Sequence, residues 1–219
     1  MTLDIQHRDH LLLKSRTCQY LLGVLLYVTC LPSCLSEGDG VIGSLQQSEG
    51  GMEIDRMTYP EQPYGEQVNS VIAPLSFTNY NGEPVGLEDF YADPDTRLLL
   101  ITTSAEWCTA CIKEQPKLEK IYEDYKELGL EILVVLFEDG NFEPADPKVA
   151  ERWRDRHDLT FSVVADQESP STFSPYYDVN LTPMVMLVEV DHMKIKYLTQ
   201  GFDEDQVLSL LTTYLSISP

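Results

Sequence analysis

The chain has 219 residues, with 36 Asp and Glu against 15 Lys and Arg and a formal net charge of −21. That length suits one domain with a sizeable core plus a leader and a linker, and is short for two full domains. A surface this acidic repels phosphate backbones and anionic headgroups, so no nucleic-acid partner is expected; its plain role is solubility.

The five cysteines are Cys18, Cys30, Cys34, Cys108 and Cys111. Residues 1–19 are polar, with Arg8, Lys14 and Arg16, and lead into an apolar run from Tyr20 to Leu31 that Pro32 breaks. The run matches a signal-peptide apolar region and falls short of the ~20 residues that span a bilayer. Leu31-Pro32-Ser33-Cys34 then resembles the lipobox of bacterial lipoproteins, where an aliphatic residue, a free position and a small residue precede the lipid-bearing cysteine; Pro32 departs from the usual pattern. Residues 1–33 are therefore expected to be a signal peptide and Cys34 the lipidated N-terminus, with an ordinary cleavage nearby or an uncleaved anchor as the alternatives. After that cut, with Cys34 lipidated, only Cys108 and Cys111 remain as free thiols, whereas a disulfide-stapled secreted scaffold would keep several pairs.

Residues 34–67 are expected to be a lipid-anchored flexible tether, because 35–67 is rich in Gly, Ser, Gln and Glu without regular apolar spacing. Its Tyr59–Tyr64 part also suits an irregular arm packed on the domain. From about Val68 the pattern becomes regular, and 68–219 is expected to be the folded domain. Leu75 to Tyr80 and Glu83 to Leu87 predict a β-hairpin around Asn81-Gly82, a dipeptide suited to a type I′ turn. Arg97 to Thr103 is an apolar run suited to a buried strand. Cys108 to Leu128 predicts a helix with Ile112, Leu118, Ile121, Tyr122 and Tyr125 on one face, a kink at Pro116 and a stop at Gly129. Glu131 to Glu138 predicts a second central strand, Asp139 to Pro147 a loop and Lys148 to His157 a charged helix. Phe161 to Ala165 predicts a third strand, Ser171 to Tyr177 a short helical segment, and Met184 to Val190 with Lys194 to Thr199 a hairpin. Glu204 to Leu215 predicts a final helix capped by Asp203. This order calls for an α/β domain with a mixed central sheet flanked by helices.

Trp107-Cys108-Thr109-Ala110-Cys111 falls where a buried strand meets a helix. Unpaired N–H groups at a helix N-terminus favour a thiolate over a thiol, which suits Cys108 as an attacking sulfur. Cys111 lies one turn further along the same face, within reach of that sulfur. The alternatives are half of a zinc site, for which the mature chain offers only His157 and His192 as imidazoles, and an inert disulfide, which gains little from closing so short a loop. No metal and no cofactor is expected.

Ala105-Glu106-Trp107-Cys108 with Cys111 and Pro116, followed by Leu181-Thr182-Pro183, resembles the thioredoxin superfamily. The pattern WCxxCxxExP, met by Trp107, Cys108, Cys111, Glu114 and Pro116, is similar to the extracytoplasmic TlpA and ResA branch of the AhpC/TSA-related redoxins, as are the N-terminal hairpin and the extra helix and strand between Leu136 and Tyr177. The resemblance implies a thioredoxin fold with an N-terminal β-hairpin and an αβ insertion. It implies Cys108 as nucleophile, Cys111 as resolving thiol, Pro183 as a cis-proline after Thr182, and Glu114 as a modulator of thiol pKa. Trp107 would shield the site or mark a docking surface. Protein disulfide or dithiol clients, a membrane thiol electron donor and a lipid-anchored, periplasm-facing place in a bacterial cell envelope follow from the same resemblance. Thr102 stands where thioredoxins proper carry a buried Asp, which closes that proton route, and Ala110 replaces the proline many relatives have before the second cysteine.

Two other functions share the fold. A peroxiredoxin-like thiol peroxidase would place Thr three residues before the reactive cysteine with Pro before that, but Ala105 stands there and no proline lies between Arg97 and Cys108. A copper-handling or scaffolding domain would use a wider Cys spacing and a nearby His.

Overall fold

The computed structural model describes residues 56–215, so the expected signal peptide, Cys34 and residues 34–55 of the expected tether lie outside the described residues. Residues 56–67 are a packed arm and not part of a tether. The Arg56 guanidinium donates to the carbonyls of Asp93 and Thr96 and pairs with Asp191. The Tyr59 hydroxyl donates to Ile72 O at 3.0 Å, and its ring meets Tyr91 edge-on at 5.5 Å. The aromatic side chains in this otherwise polar stretch supply the burial that a Gly/Ser tether lacks.

Strands β1 (Ser76–Asn79) and β2 (Pro84–Gly86) form the expected antiparallel hairpin, but not through a type I′ turn. In the turn only Gly82 has positive φ, at 83°, and its N–H donates to Asn79 O at 3.0 Å. The Asn79 side-chain oxygen accepts the N–H groups of Asn81 and Glu83, each at 2.9 Å, which fixes a three-residue loop with one left-handed glycine. The second strand stops early because the Asp89 carboxylate accepts Gly86 N–H at 2.7 Å and opens helix α1 (Leu87–Ala92). Leu87, Phe90 and Tyr91 are its buried face, a spacing present in the sequence but too short to stand out.

Strand β3 (Leu98–Ala105) is buried along its whole length, as its apolar run requires. Helix α2 (Thr109–Tyr125) follows, with Pro116 inside it, and ends in a single tight turn at Gly129. Gly129 has φ 93°, and a Cβ there would meet Asp95 O at 2.7 Å, so no other residue fits without displacement. Strand β4 (Leu130–Glu138) leads through a loop to α3 (Pro147–His157), where the Asp146 carboxylate caps Val149 N–H at 3.0 Å. Strand β5 (Ser162–Ala165) completes the inserted αβ unit.

The segment Ser171–Tyr177 is not helical. It forms successive turns, because the Asp166 carboxylate takes the Ser171 hydroxyl and both the N–H and the hydroxyl of Thr172, and Pro175 has no N–H to give. Strands β6 (Met184–Glu189) and β7 (Lys194–Gln200) form the second hairpin, and α4 (Glu204–Leu215) starts with Gln206 N–H on the Asp203 carboxylate at 3.1 Å.

The seven strands are ordered β2-β1-β5-β4-β3-β6-β7, with β3, β4 and β5 mutually parallel and the flanking pairs antiparallel. Alternation along β3 sends Leu98 and Leu100 to a core shared with α2, α3 and α4, and Leu99 and Ile101 to a core shared with α1 and the 171–177 turns. Both faces are thus covered, and the carboxyl ends of β3 and β4 meet the N-terminus of α2. Among the described residues no helix is long and apolar enough to cross a membrane.

Candidate active site

The β3–β4 register shifts between Ser104 and Ala105, so Ala105 sits opposite Glu138 and the chain turns there into α2. Cys108 is the N-cap of α2, and the Cys111 N–H donates to Cys108 Sγ at 3.1 Å. Cys108 and Cys111 are joined as a disulfide with Cα atoms 5.3 Å apart, which their one-turn spacing allows. The two sulfurs differ in access: Cys108 is 4 % exposed and Cys111 not at all.

Thr182 and Pro183 come to this pair from the far side of the sequence. The Thr182–Pro183 peptide is cis, and Thr182 O lies 3.9 Å from Cys108 Sγ. Thr103 ties the loop to β3, since its hydroxyl accepts Met184 N–H at 3.0 Å and lies 3.3 Å from the Thr182 hydroxyl. Thr103 O is 4.0 Å from Cys111 Sγ. The Tyr177 hydroxyl is buried beside these two threonines without closing a well-aligned hydrogen bond, and burial pushes its pKa up. Tyr177 and Thr103 carried no signal in the sequence beyond apolar or β-branched character.

Glu114 points inward. It is 2 % exposed, with Gln115, Leu118 and Ile121 on the buried face of α2, so the helix packs a carboxyl where apolar residues were expected. Of that expected face, Ile112, Tyr122 and Tyr125 are only partly buried. Thr102 Oγ1 donates to Glu114 Oε1 at 2.9 Å, and Glu114 Oε2 has no hydrogen-bond partner among the described residues. Desolvation pushes the Glu114 carboxyl up to about 8, opposed by the Thr102 hydrogen bond. It borders a cavity of about 220 Å³ formed with Ala110, Lys117, Pro183 and Phe202. The strand thus carries no acid at position 102; Thr102 instead hydrogen-bonds a carboxyl supplied by the helix.

Trp107 is held from two sides. Its Nε1 donates to Glu138 Oε2 at 2.8 Å, and its ring stacks on Phe142 at 5.5 Å. The Glu106 carboxylate accepts Gly140 N–H at 3.0 Å and pairs with Arg152, pinning the loop that carries Phe142. Sequence reasoning missed Glu138 and Phe142; the position of Glu138 at the carboxyl end of a central strand beside β3 was the available signal. Among the described residues no group of three or more His, Cys, Asp or Glu side chains is arranged to hold a metal ion.

A mixed sheet whose central strand runs into a helix capped by one of two bonded cysteines, with a cis-proline against them, defines a thioredoxin-fold protein with a disulfide at its candidate site. The chain belongs to the AhpC/TSA family, whose pattern matches residues 65–197. It is 28% identical over 145 residues to the thiol-disulfide oxidoreductase ResA of Halalkalibacterium halodurans, covering 65% of this chain and 72% of that protein. It is 24% identical over 156 residues to the thioredoxin-like protein YneN of Bacillus subtilis, covering 68% and 86%. In structure it is similar to a thiol:disulfide interchange protein from Bacteroides sp., with a TM-score of 0.55, 20% identity, and coverage of 68% of this chain and 91% of that one.

Proposed function

We propose that this protein is a thiol–disulfide oxidoreductase acting on exported proteins through Cys108 and Cys111. The observation that carries the reading is the Cys111 N–H on Cys108 Sγ at 3.1 Å, because the same donor at a helix N-terminus stabilises a thiolate when the pair is reduced. The greater access of Cys108 supports its role as attacker and the full burial of Cys111 its role as resolver.

In the reducing direction the Cys108 thiolate attacks one sulfur of a client disulfide. That bond breaks, one client sulfur leaves as a thiolate and takes a proton, and Cys108 is held in a mixed disulfide. Cys111, once deprotonated, attacks Cys108 Sγ; the mixed bond breaks, the second client sulfur leaves and is protonated, and the Cys108–Cys111 disulfide forms. The client gains two electrons and two protons. A membrane dithiol, oxidised in turn to its disulfide, returns the pair to the reduced form. Glu114, three residues beyond Cys111 and raised to about 8, is the group we assign to hold the Cys111 proton. Thr182 and Pro183 offer backbone to an extended client, and Trp107 covers the approach to the pair.

The same reading puts the domain outside the cytoplasm, anchored through lipid on Cys34, a site supported by the sequence pattern Leu31 to Cys34. Insulin-disulfide reduction tests the activity: Cys108→Ser abolishes it and Cys111→Ser accumulates mixed disulfides with clients. Full activity in Cys108→Ser overturns the assignment, and a mature N-terminus other than Cys34 by mass spectrometry overturns the anchor.

A further inference from the structure

Another cavity, of about 210 Å³, is lined by Phe137, Phe142, Val179 and Pro170 with the carboxylates Glu138 and Glu168. Neither carboxylate forms an ion pair with a described residue, and Arg152 nearby is committed to Glu106. Two carboxylates without an ion-pair partner among the described residues thus share a concavity with apolar side chains and with Ser169 and Ser171. Phe142 stands at its rim 66% exposed, with φ 66°, a left-handed conformation unusual for a bulky residue, which keeps its ring in solvent over Trp107. The cavity is joined to the sulfurs twice: Glu138 holds Trp107, the residue before Cys108, and Val179 begins the turn leading to Thr182 O, 3.9 Å from Cys108 Sγ.

We propose that this cavity is a specificity subsite for a basic side chain of the client, Lys or Arg. The inference rests on the oxidoreductase reading for the kind of partner, a disulfide-bearing polypeptide. A long basic side chain matches both halves of the site, its methylene stem lying on Phe142 and Val179 and its cationic head against Glu138 and Glu168. An acidic side chain at the same place meets two like charges, so the subsite also rejects.

Two cysteine-free peptides, identical except that one alternates Leu with Arg and the other Leu with Glu, are titrated into the oxidised protein, with binding read by calorimetry and tryptophan fluorescence. At low ionic strength the Arg peptide binds at least about tenfold tighter, and the preference shrinks in high salt. Glu168→Lys removes most of the preference and Glu138→Gln part of it. Glu123→Lys, the same charge change on the exposed face of α2, keeps it. Equal affinities for the two peptides, or a loss in Glu123→Lys as large as in Glu168→Lys, overturns the subsite in favour of general attraction to an acidic protein. A protein that shows the preference and its loss in Glu168→Lys yet reduces no disulfide would remove the oxidoreductase reading and leave the subsite standing.

Discussion

The hydroxyl of Thr102 on β3 donates to the carboxyl of Glu114 on α2 at 2.9 Å, across the interface that buries both side chains. The helix thereby buries an ionisable group three residues past Cys111, without a charge on the strand itself.

Glu114 makes stability fall as pH rises. Its carboxyl is raised to about 8 in the fold, mainly by desolvation, while the unfolded chain ionises near ~4.3. Between those values the unfolded state releases a proton that the folded state keeps, so stability is fullest below the lower value, declines through the window and levels off above about 8. Glu114→Gln removes this slope, worth on the order of a few kcal/mol, in urea titrations of the oxidised protein from acid to alkaline pH. A slope unchanged in the variant contradicts the assignment.

Thr102→Val tunes the same group. The hydrogen bond it removes stabilises the ionised carboxyl, so the Glu114 titration moves further alkaline, by roughly one unit for a bond worth ~1.4 kcal/mol. Carbon-13 shifts of the Glu114 carboxyl report the move. The pH profile of mixed-disulfide resolution follows it if Glu114 holds the Cys111 proton.

Thr103→Val tests the tie between β3 and the cis-proline loop. It leaves Met184 N–H buried without its side-chain acceptor and loosens Thr182, at a cost of about 1–3 kcal/mol. Client reduction falls with it, because Thr182 O no longer stands at a fixed distance from Cys108 Sγ. Thr103→Ser, which keeps the hydroxyl, restores both.

Leu133→Ala probes the scaffold. Leu133 is fully buried on β4, opposite Ile101, so the variant loses about 2–5 kcal/mol and melts roughly ten degrees lower. In the cold it keeps its activity, since no site side chain is removed.

Much of the fold was legible because local pattern fixes local structure. The run from Arg97 to Thr103 and the run from Glu131 to Glu138 are apolar on both faces, and they became the fully covered strands β3 and β4. Asp203 and Gly129 marked helix ends through chemistry confined to a few neighbouring residues. The errors fell where a side chain overrode the pattern: Asn79 reset the hairpin turn, Asp89 cut the second strand short and opened α1, and Asp166 held 171–177 in turns.

The sequence by itself determined the bonded pair, since Cys108 and Cys111 lie one helical turn apart and the strand-to-helix boundary is written in adjacent residues. Tertiary structure alone decided what surrounds the pair. Thr182 reaches Cys108 across 74 residues, Glu114 becomes a buried acid because α2 lays that face on β3, and Glu138 meets Trp107 because β4 is the neighbour of β3. Spacing along a chain fixes which side chains share a helix face, but burial and ionisation depend on which surfaces the sheet order brings into contact.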